Sequence, residues 1–180
     1  AAETLVANII NYVEKWEPPP RRKVVYAGAP VGRKYLDTVG LRAGDCDGTA
    51  LKPDQLLVVG PEGGMALAAA KDAVAAFLKA GGKLLALVVT EADARAVLPF
   101  GLTIRETEHI NAHFETPSCN SPWTGIGPAD VYNRAPRELP LVTGGLKTVG
   151  DGVLVASEDG RVVICQMTPW QFDYRSNYGM

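Results

Sequence analysis

A chain of 180 residues that is 47% hydrophobic and 21% charged carries enough apolar side chains for one domain with a sizeable core, in the balance ordinary for a soluble globular protein. Its formal net charge of −2 leaves no electrostatic footprint for nucleic acid or an acidic membrane surface, and no apolar run approaches the roughly 20 residues that span a bilayer. Cys46, Cys119 and Cys165 make an odd count without CxxC or metal spacing, which argues against a disulfide framework and leaves the redox compartment open.

Thr4 to Trp16 reads as a helix with Leu5, Ile9, Tyr12, Val13 and Trp16 on one side. Glu17-Pro18-Pro19-Pro20-Arg21-Arg22 follows as a stiff, extended connector. Residues 1–22 are therefore expected to form a helix and linker ahead of a single α/β domain at 23–180. The opening AAETLVANII has neither Met nor the basic n-region of a secretory signal, and the chain stops at Tyr178-Gly179-Met180, just after an aromatic-rich segment. Both ends read as cuts, so the expectation is a piece of a longer protein, with a processed mature form as the alternative. The apolar helix and the segment Trp170 to Tyr178 are expected to lie near each other, because domain termini are often close.

Lys23 to Ala27 (KVVYA) is the first buried strand. Gly28-Ala29-Pro30-Val31-Gly32 turns the chain, and Pro30 suits the first turn of a helix running to Thr38. Gly28-x-x-x-Gly32 is neither the GxGxxG of a dinucleotide fold nor a P-loop with its GK[ST] ending, and it is read as a plain strand-to-helix turn. Leu41 to Pro53 is polar, with room for a short edge strand near Cys46 but not for a full helix. Asp45-x-Asp47-Gly48 matches part of a calcium loop but lacks the bidentate Glu that closes one, so it too is read as a turn.

The strongest pattern runs from Asp54 to Glu91. Leu56-Leu57-Val58-Val59 is a continuous apolar run suited to a strand buried on both faces. Gly60-Pro61-Glu62-Gly63-Gly64 breaks it. An alanine-rich helix is expected from Met65 to Ala80, with Val74, Phe77 and Leu78 at i, i+3 and i+4. Gly81-Gly82 caps it, and Leu84 to Val89 begins a second buried strand. Strand, helix and strand in this order make a βαβ unit with parallel strands and a right-handed crossover.

Glu91 to Leu98 reads as a short helix stopped by Pro99, and Leu102 to Arg105 and His109 to Phe114 as strands or extended segments. Glu115 to Pro128 is a long loop rich in Pro, Gly and Ser, and Asp130 to Leu139, with Pro136 inside it and Pro140 directly after, is expected to be irregular. Val153 to Ala156 and Val162 to Met167 are strands joined by Ser157-Glu158-Asp159-Gly160, a hairpin signal. The expected fold class is α/β in three layers: a mainly parallel central sheet flanked by helices, with a C-terminal antiparallel hairpin.

The runs LLVVGPEGG and FLKAGGKLLALVV, with the alanine-rich helix between them, resemble the class I glutamine amidotransferase-like, flavodoxin-like fold. There a strand, a helix ending in a glycine pair and a further strand lead into a nucleophile elbow. NIINYVEKW and VVICQMTPWQFDY are similar to the amidotransferase-like domain found inside large bacterial glycoside hydrolases of the β-galactosidase kind, where it accompanies a separate catalytic domain. The resemblance covers most of the chain and implies an extracytoplasmic, carbohydrate-active parent. Active members carry a G-x-C-x-G elbow and a His–Glu pair that activates the thiol. Here the strand Leu84 to Val89 runs into Thr90-Glu91-Ala92, without cysteine or flanking glycines, and no His-x-Glu pair stands near the C-terminus. Cys165 falls in the last strand, where a buried, inert thiol is expected, and Cys119 lies in a loop without an assigned base.

The expectation is thus a noncatalytic accessory domain, without cofactor, that serves packing, oligomer contact or ligand binding. The alternative is a divergent amidotransferase-like hydrolase with a pocket at the C-terminal ends of the parallel strands, lined by Gly28, Ala29, Pro30, Gly60, Glu62, Gly63, Thr90 and Glu91. His109 and His113 would share a helix face at a zinc-like i, i+4 spacing, but on a strand they lie about 13 Å apart. The segment lacks the Glu of HExxH, and the pair is read as polar or partly buried, with no metal. Trp123, Trp170, Tyr174 and Tyr178 suit either stacking on sugars or core and interdomain packing, and packing is the reading adopted. Expected partners are the other domains of a parent protein, a second copy of the chain or carbohydrate, with neither nucleic acid nor membrane.

Overall fold

The computed structural model describes residues 2–15, 17 and 20–171. Trp16, Pro18, Pro19, Tyr174 and Tyr178, which enter the expectations for the connector and the aromatic tail, lie outside the described residues. The chain is mixed α/β. It runs through α1 (Ala2–Lys15), β1 (Lys23–Ala27), α2 (Pro30–Thr38), β2 (Gly44–Asp45), β3 (Gln55–Val59), α3 (Gly63–Ala66), α4 (Lys71–Lys79), β4 (Lys83–Leu87) and α5 (Glu91–Val97). After these come β5 (Thr103–His109), β6 (Arg137–Gly144), β7 (Thr148–Val149), β8 (Leu154–Ala156) and β9 (Val162–Cys165).

Seven strands form one sheet in the order β2-β1-β3-β4-β9-β8-β7. The first five in that order pair in parallel, and the β9–β8 and β8–β7 contacts are antiparallel. The apolar runs alternate between faces as the pleat requires. Val25, Leu57, Val59, Leu84 and Ala86 are buried on one face with Val74, Phe77 and Leu78 of α4 and Ala94 and Val97 of α5. Tyr26, Val58 and Leu87 turn to the other, where Leu36 of α2 and Trp170 cover them. Strands β5 and β6 make a separate antiparallel pair, and Leu139 and Leu141 of β6 pack with Trp123, Val131 and Met167 in a second apolar cluster.

Two segments depart from the sequence reading. The helix expected over Met65 to Ala80 is three pieces: α3, a 3-10 turn at Ala68–Ala70, and α4. Packing overrides alanine's helix propensity here. The 46–50 loop presses Gly48 against Ala70 and Leu67, Leu67 is fully buried, and the Met65 N–H donates to the Asp93 carboxylate at 3.1 Å. At the far end the glycine pair acts as read: the Gly82 N–H donates to the Phe77 carbonyl at 2.9 Å and the Gly81 N–H to Leu78 at 3.1 Å, with Gly81 at φ +100°.

The second departure lies between His109 and Leu139. The strand β5 covers Thr103–His109 and stops there, so of the two alternatives for His109 to Phe114 the strand fails after its first residue. The Asn133 N–H donates to the Ile110 carbonyl at 2.7 Å, which ties the chain to the 3-10 turn Pro128–Val131. Arg137 to Leu139, expected to be irregular, opens β6. Pro140 is tolerated within it because β6 has β5 alone as its ladder partner among the described residues.

Candidate functional site

In an open parallel sheet the strand order reverses at one point, and ligands bind outside the carboxyl ends of the strands there. Here that point lies between β1 and β3. The loops after them bring together Gly28, Ala29, Pro30, Gly60, Glu62 and Gly63, but protein atoms fill the space between. The Tyr26 side chain, almost fully buried, reaches into it and donates from its hydroxyl to the Ala29 carbonyl at 2.7 Å. Gly28, Gly32 and Gly60 all lie against that hydroxyl, and a Cβ on Gly28 would sit 2.9 Å from it. The two loops also bond directly, from the Ala29 N–H to the Pro61 carbonyl at 2.7 Å and from the Gly60 N–H to the Ala27 carbonyl at 2.9 Å. The glycines thus form a cradle for a phenol. Burial pushes the Tyr26 phenol up from its ordinary value, opposed by the Arg33 guanidinium, which sits 5.2 Å from the ring centroid and pairs with Asp45. Gly63 packs against the Ala27 carbonyl, and Glu62 is exposed at φ +65°.

The third strand end holds the sharpest turn. Val88, the residue directly after β4, adopts φ +53°. A β-branched side chain in the left-handed region is a genuine outlier, because its Cβ crowds the backbone. Three long-range hydrogen bonds hold it. The Val88 N–H donates to the Cys165 carbonyl at 3.0 Å. The side-chain amide of Gln166, fully buried, brackets the next residue: the Val89 N–H donates to Gln166 Oε1 at 2.9 Å, and Gln166 Nε2 donates to the Val89 carbonyl at 2.9 Å. The strand-to-helix bend therefore falls two residues before Thr90. Thr90 caps α5 instead, accepting from the Asp93 N–H at 3.1 Å while its hydroxyl donates to the Asp93 carboxylate at 2.8 Å. Glu91 accepts from Arg95 at 2.6 Å and from the Ile104 N–H at 3.4 Å.

Sequence reasoning missed Val88 and Gln166. Leu87-Val88-Val89 reads as an unbroken strand with no glycine to mark the bend, and the residue that holds the bend lies 77 positions away.

The remaining candidates are dispersed. His109 is buried at the end of β5, with its Nε2 2.8 Å from the Val131 carbonyl oxygen, while His113 is exposed in the following irregular segment. Among the described residues no group of three or more His, Cys, Asp or Glu is placed to hold a metal ion. Burial pushes the thiols of Cys46 and Cys165 up, away from the nucleophilic thiolate, and Cys119 is exposed in its loop.

The site can therefore bend a chain sharply, but its side chains and amides are spent internally: an isopropyl group stands at the bend, and the amide beside it is bonded to glutamine. No protein-family model, curated protein or solved structure matches this chain.

Proposed function

We propose that this chain is a noncatalytic, amidotransferase-like domain of the flavodoxin-like type, belonging to a larger carbohydrate-active protein and serving packing, contact between copies or ligand binding. The strand order supports the fold reading. Numbered along the chain as parallel strands one to five, β2-β1-β3-β4-β9 reads 2-1-3-4-5, the flavodoxin-like order.

The observation that carries the noncatalytic reading is the turn after β4. A nucleophile elbow projects a hydroxyl or thiol from a strained residue and leaves the next N–H free for the oxyanion. Here the strained residue is Val88, and the next N–H, that of Val89, is taken by Gln166. The neighbouring hydroxyls are also engaged: Tyr26 donates to the Ala29 carbonyl, and Thr90 is held in the capping box of α5, donating to the Asp93 carboxylate and accepting from the Asp93 N–H, so that pair serves the helix end. Helix α1 suits attachment to neighbouring domains, since it buries none of its residues against this one.

The test is ammonia release from glutamine by the purified chain, run beside treatment with a chloroketone analogue of glutamine and intact-mass measurement. The expected result is no ammonia above buffer and no adduct at the β4–α5 turn. The Val88→Cys variant stays equally silent, because its oxyanion amide is still occupied. Ammonia release that stops on thiol alkylation of the native chain would overturn the reading.

A further inference from the structure

We propose that the cavity between Trp123 and the β7–β8 edge of the sheet binds a small zwitterion, an α-amino acid with an apolar side chain. The cavity follows from one glycine. Strand β7 pairs with β8 at Thr148–Val155 and Val149–Leu154, and there the pairing ends. Gly145, at φ +101°, is pressed against the Gly101 carbonyl and Leu102, where no Cβ fits. The turn before β7 is thereby held against the start of β5 rather than along β8. A space of about 550 Å³ opens between that turn, the hairpin turn after β8, and Trp123. That volume lies in the range of small-molecule sites.

Its wall is preformed. The Trp123 N–H donates to Ser121 Oγ at 3.1 Å, and the Thr124 hydroxyl donates to the Ser118 carbonyl at 2.8 Å and the Ser121 carbonyl at 2.7 Å. The Trp123 side chain is thus carried on a braced loop, and ordering it on binding costs little.

Three features of the lining choose the ligand class. Trp123, Leu146 and Val149 give an apolar floor. Trp123 is only 8% exposed, and its indole N–H, closed to solvent, has no acceptor among the described residues, so its environment reports on anything that seats against the ring. Lys147 and Glu158 flank the same space, and neither has an ion-pair partner among the described residues. A cation and an anion that border one apolar cavity, neither in an ion pair among the described residues, match a ligand that carries both charges next to an apolar group. The carboxylate meets the Lys147 ammonium, the ligand ammonium meets Glu158, and the side chain lies on Leu146 and Val149. A neutral sugar would leave both charges unmatched. This site is separate from the strand ends and does not depend on the state of the β4–α5 turn.

The experiment is an NMR titration of the full chain, read at the indole N–H of Trp123. That cross-peak is assigned by its loss in Trp123→Phe or, should that variant not fold, by elimination with Trp16→Phe and Trp170→Phe. L-leucine is expected to move it saturably. N-acetyl-L-leucine amide, which lacks both charges, should bind at least tenfold more weakly, and Lys147→Gln and Glu158→Gln should each weaken leucine binding by about tenfold. Both variants change exposed residues, so the remaining spectrum reports their fold directly. The proposal is overturned if leucine leaves the cross-peak unmoved up to about 20 mM. It is equally overturned if the capped analogue binds as well as leucine, or if methyl glucopyranoside moves the cross-peak and leucine does not.

Discussion

Val88 holds a backbone conformation that costs a β-branched residue roughly 1–2 kcal/mol. It persists because Gln166 and Cys165 bond the peptides on either side of it. Replacement by glycine removes that cost and offsets the lost side-chain burial and added chain entropy. Val88→Gly is therefore expected to change the unfolding free energy by less than about 1 kcal/mol in a urea titration. Val89→Gly, one residue on and fully buried, should lower it by roughly 3 kcal/mol. Tyr26 gives a second prediction. Its phenol is neutral in both states below its unfolded value of 10.0, and burial raises the folded value above that. As pH climbs past 10, the unfolded chain releases a proton that the folded chain retains, so stability falls. Tyr26→Phe loses the bond to Ala29 and should be less stable by about 1 kcal/mol near pH 8. That deficit should shrink steadily above pH 10, as measured by urea midpoints of both proteins across the range. The glycines around Tyr26 were visible in the sequence as turn residues. Their common cause was not, because a phenol that touches Gly28, Gly32 and Gly60 at once is a fact of three dimensions.

At the scale of elements, local signals succeeded where one chemical rule decides the outcome. The bounds of β1 and α2 are those read from KVVYA and from Pro30, and the hairpin between β8 and β9 follows its Asp-Gly turn. They failed where a distant contact decides. The alanine run after Met65 has no breaker of its own. It is interrupted by the 46–50 loop, whose Gly48, at φ +83°, sits where a Cβ would collide with Ala70. Gly48→Ala should therefore strain both the loop and the junction between α3 and α4. The expected loss is roughly 2–3 kcal/mol in chemical unfolding, against a few tenths for Gly101→Ala, where a Cβ meets open space. β6 was hidden for a related reason. Pro140 within it and Pro136 just before it speak against a strand, and only its pairing with β5 from Thr103 to His109 makes it one.

For the molecule as a whole, the exposure of α1 is the feature that matters most. Leu5, Val6, Ile9, Ile10, Tyr12 and Val13 of α1 are each more than half exposed, so the sheet domain gains nothing from them. Removing residues 1–17 is expected to leave the melting temperature within about 2 °C and the quenching of Trp170 fluorescence unchanged. Trp170 is instead held by Tyr35, edge to face at 6.2 Å. A lowered melting temperature would show that α1 packs on the domain after all. The lengths of the strands have a different consequence, one for solubility. The sheet ends on both sides in strands of two residues, β2 and β7, so a foreign strand docking at either side finds only a short ladder to extend. The longer β5 carries Arg105, Glu106 and Glu108, whose charges and bulk deter stacking into a cross-β fibril. Among the described residues the densest run of exposed apolar side chains stands on α1, so any clumping of this chain is expected to start at the greasy helix that precedes the sheet.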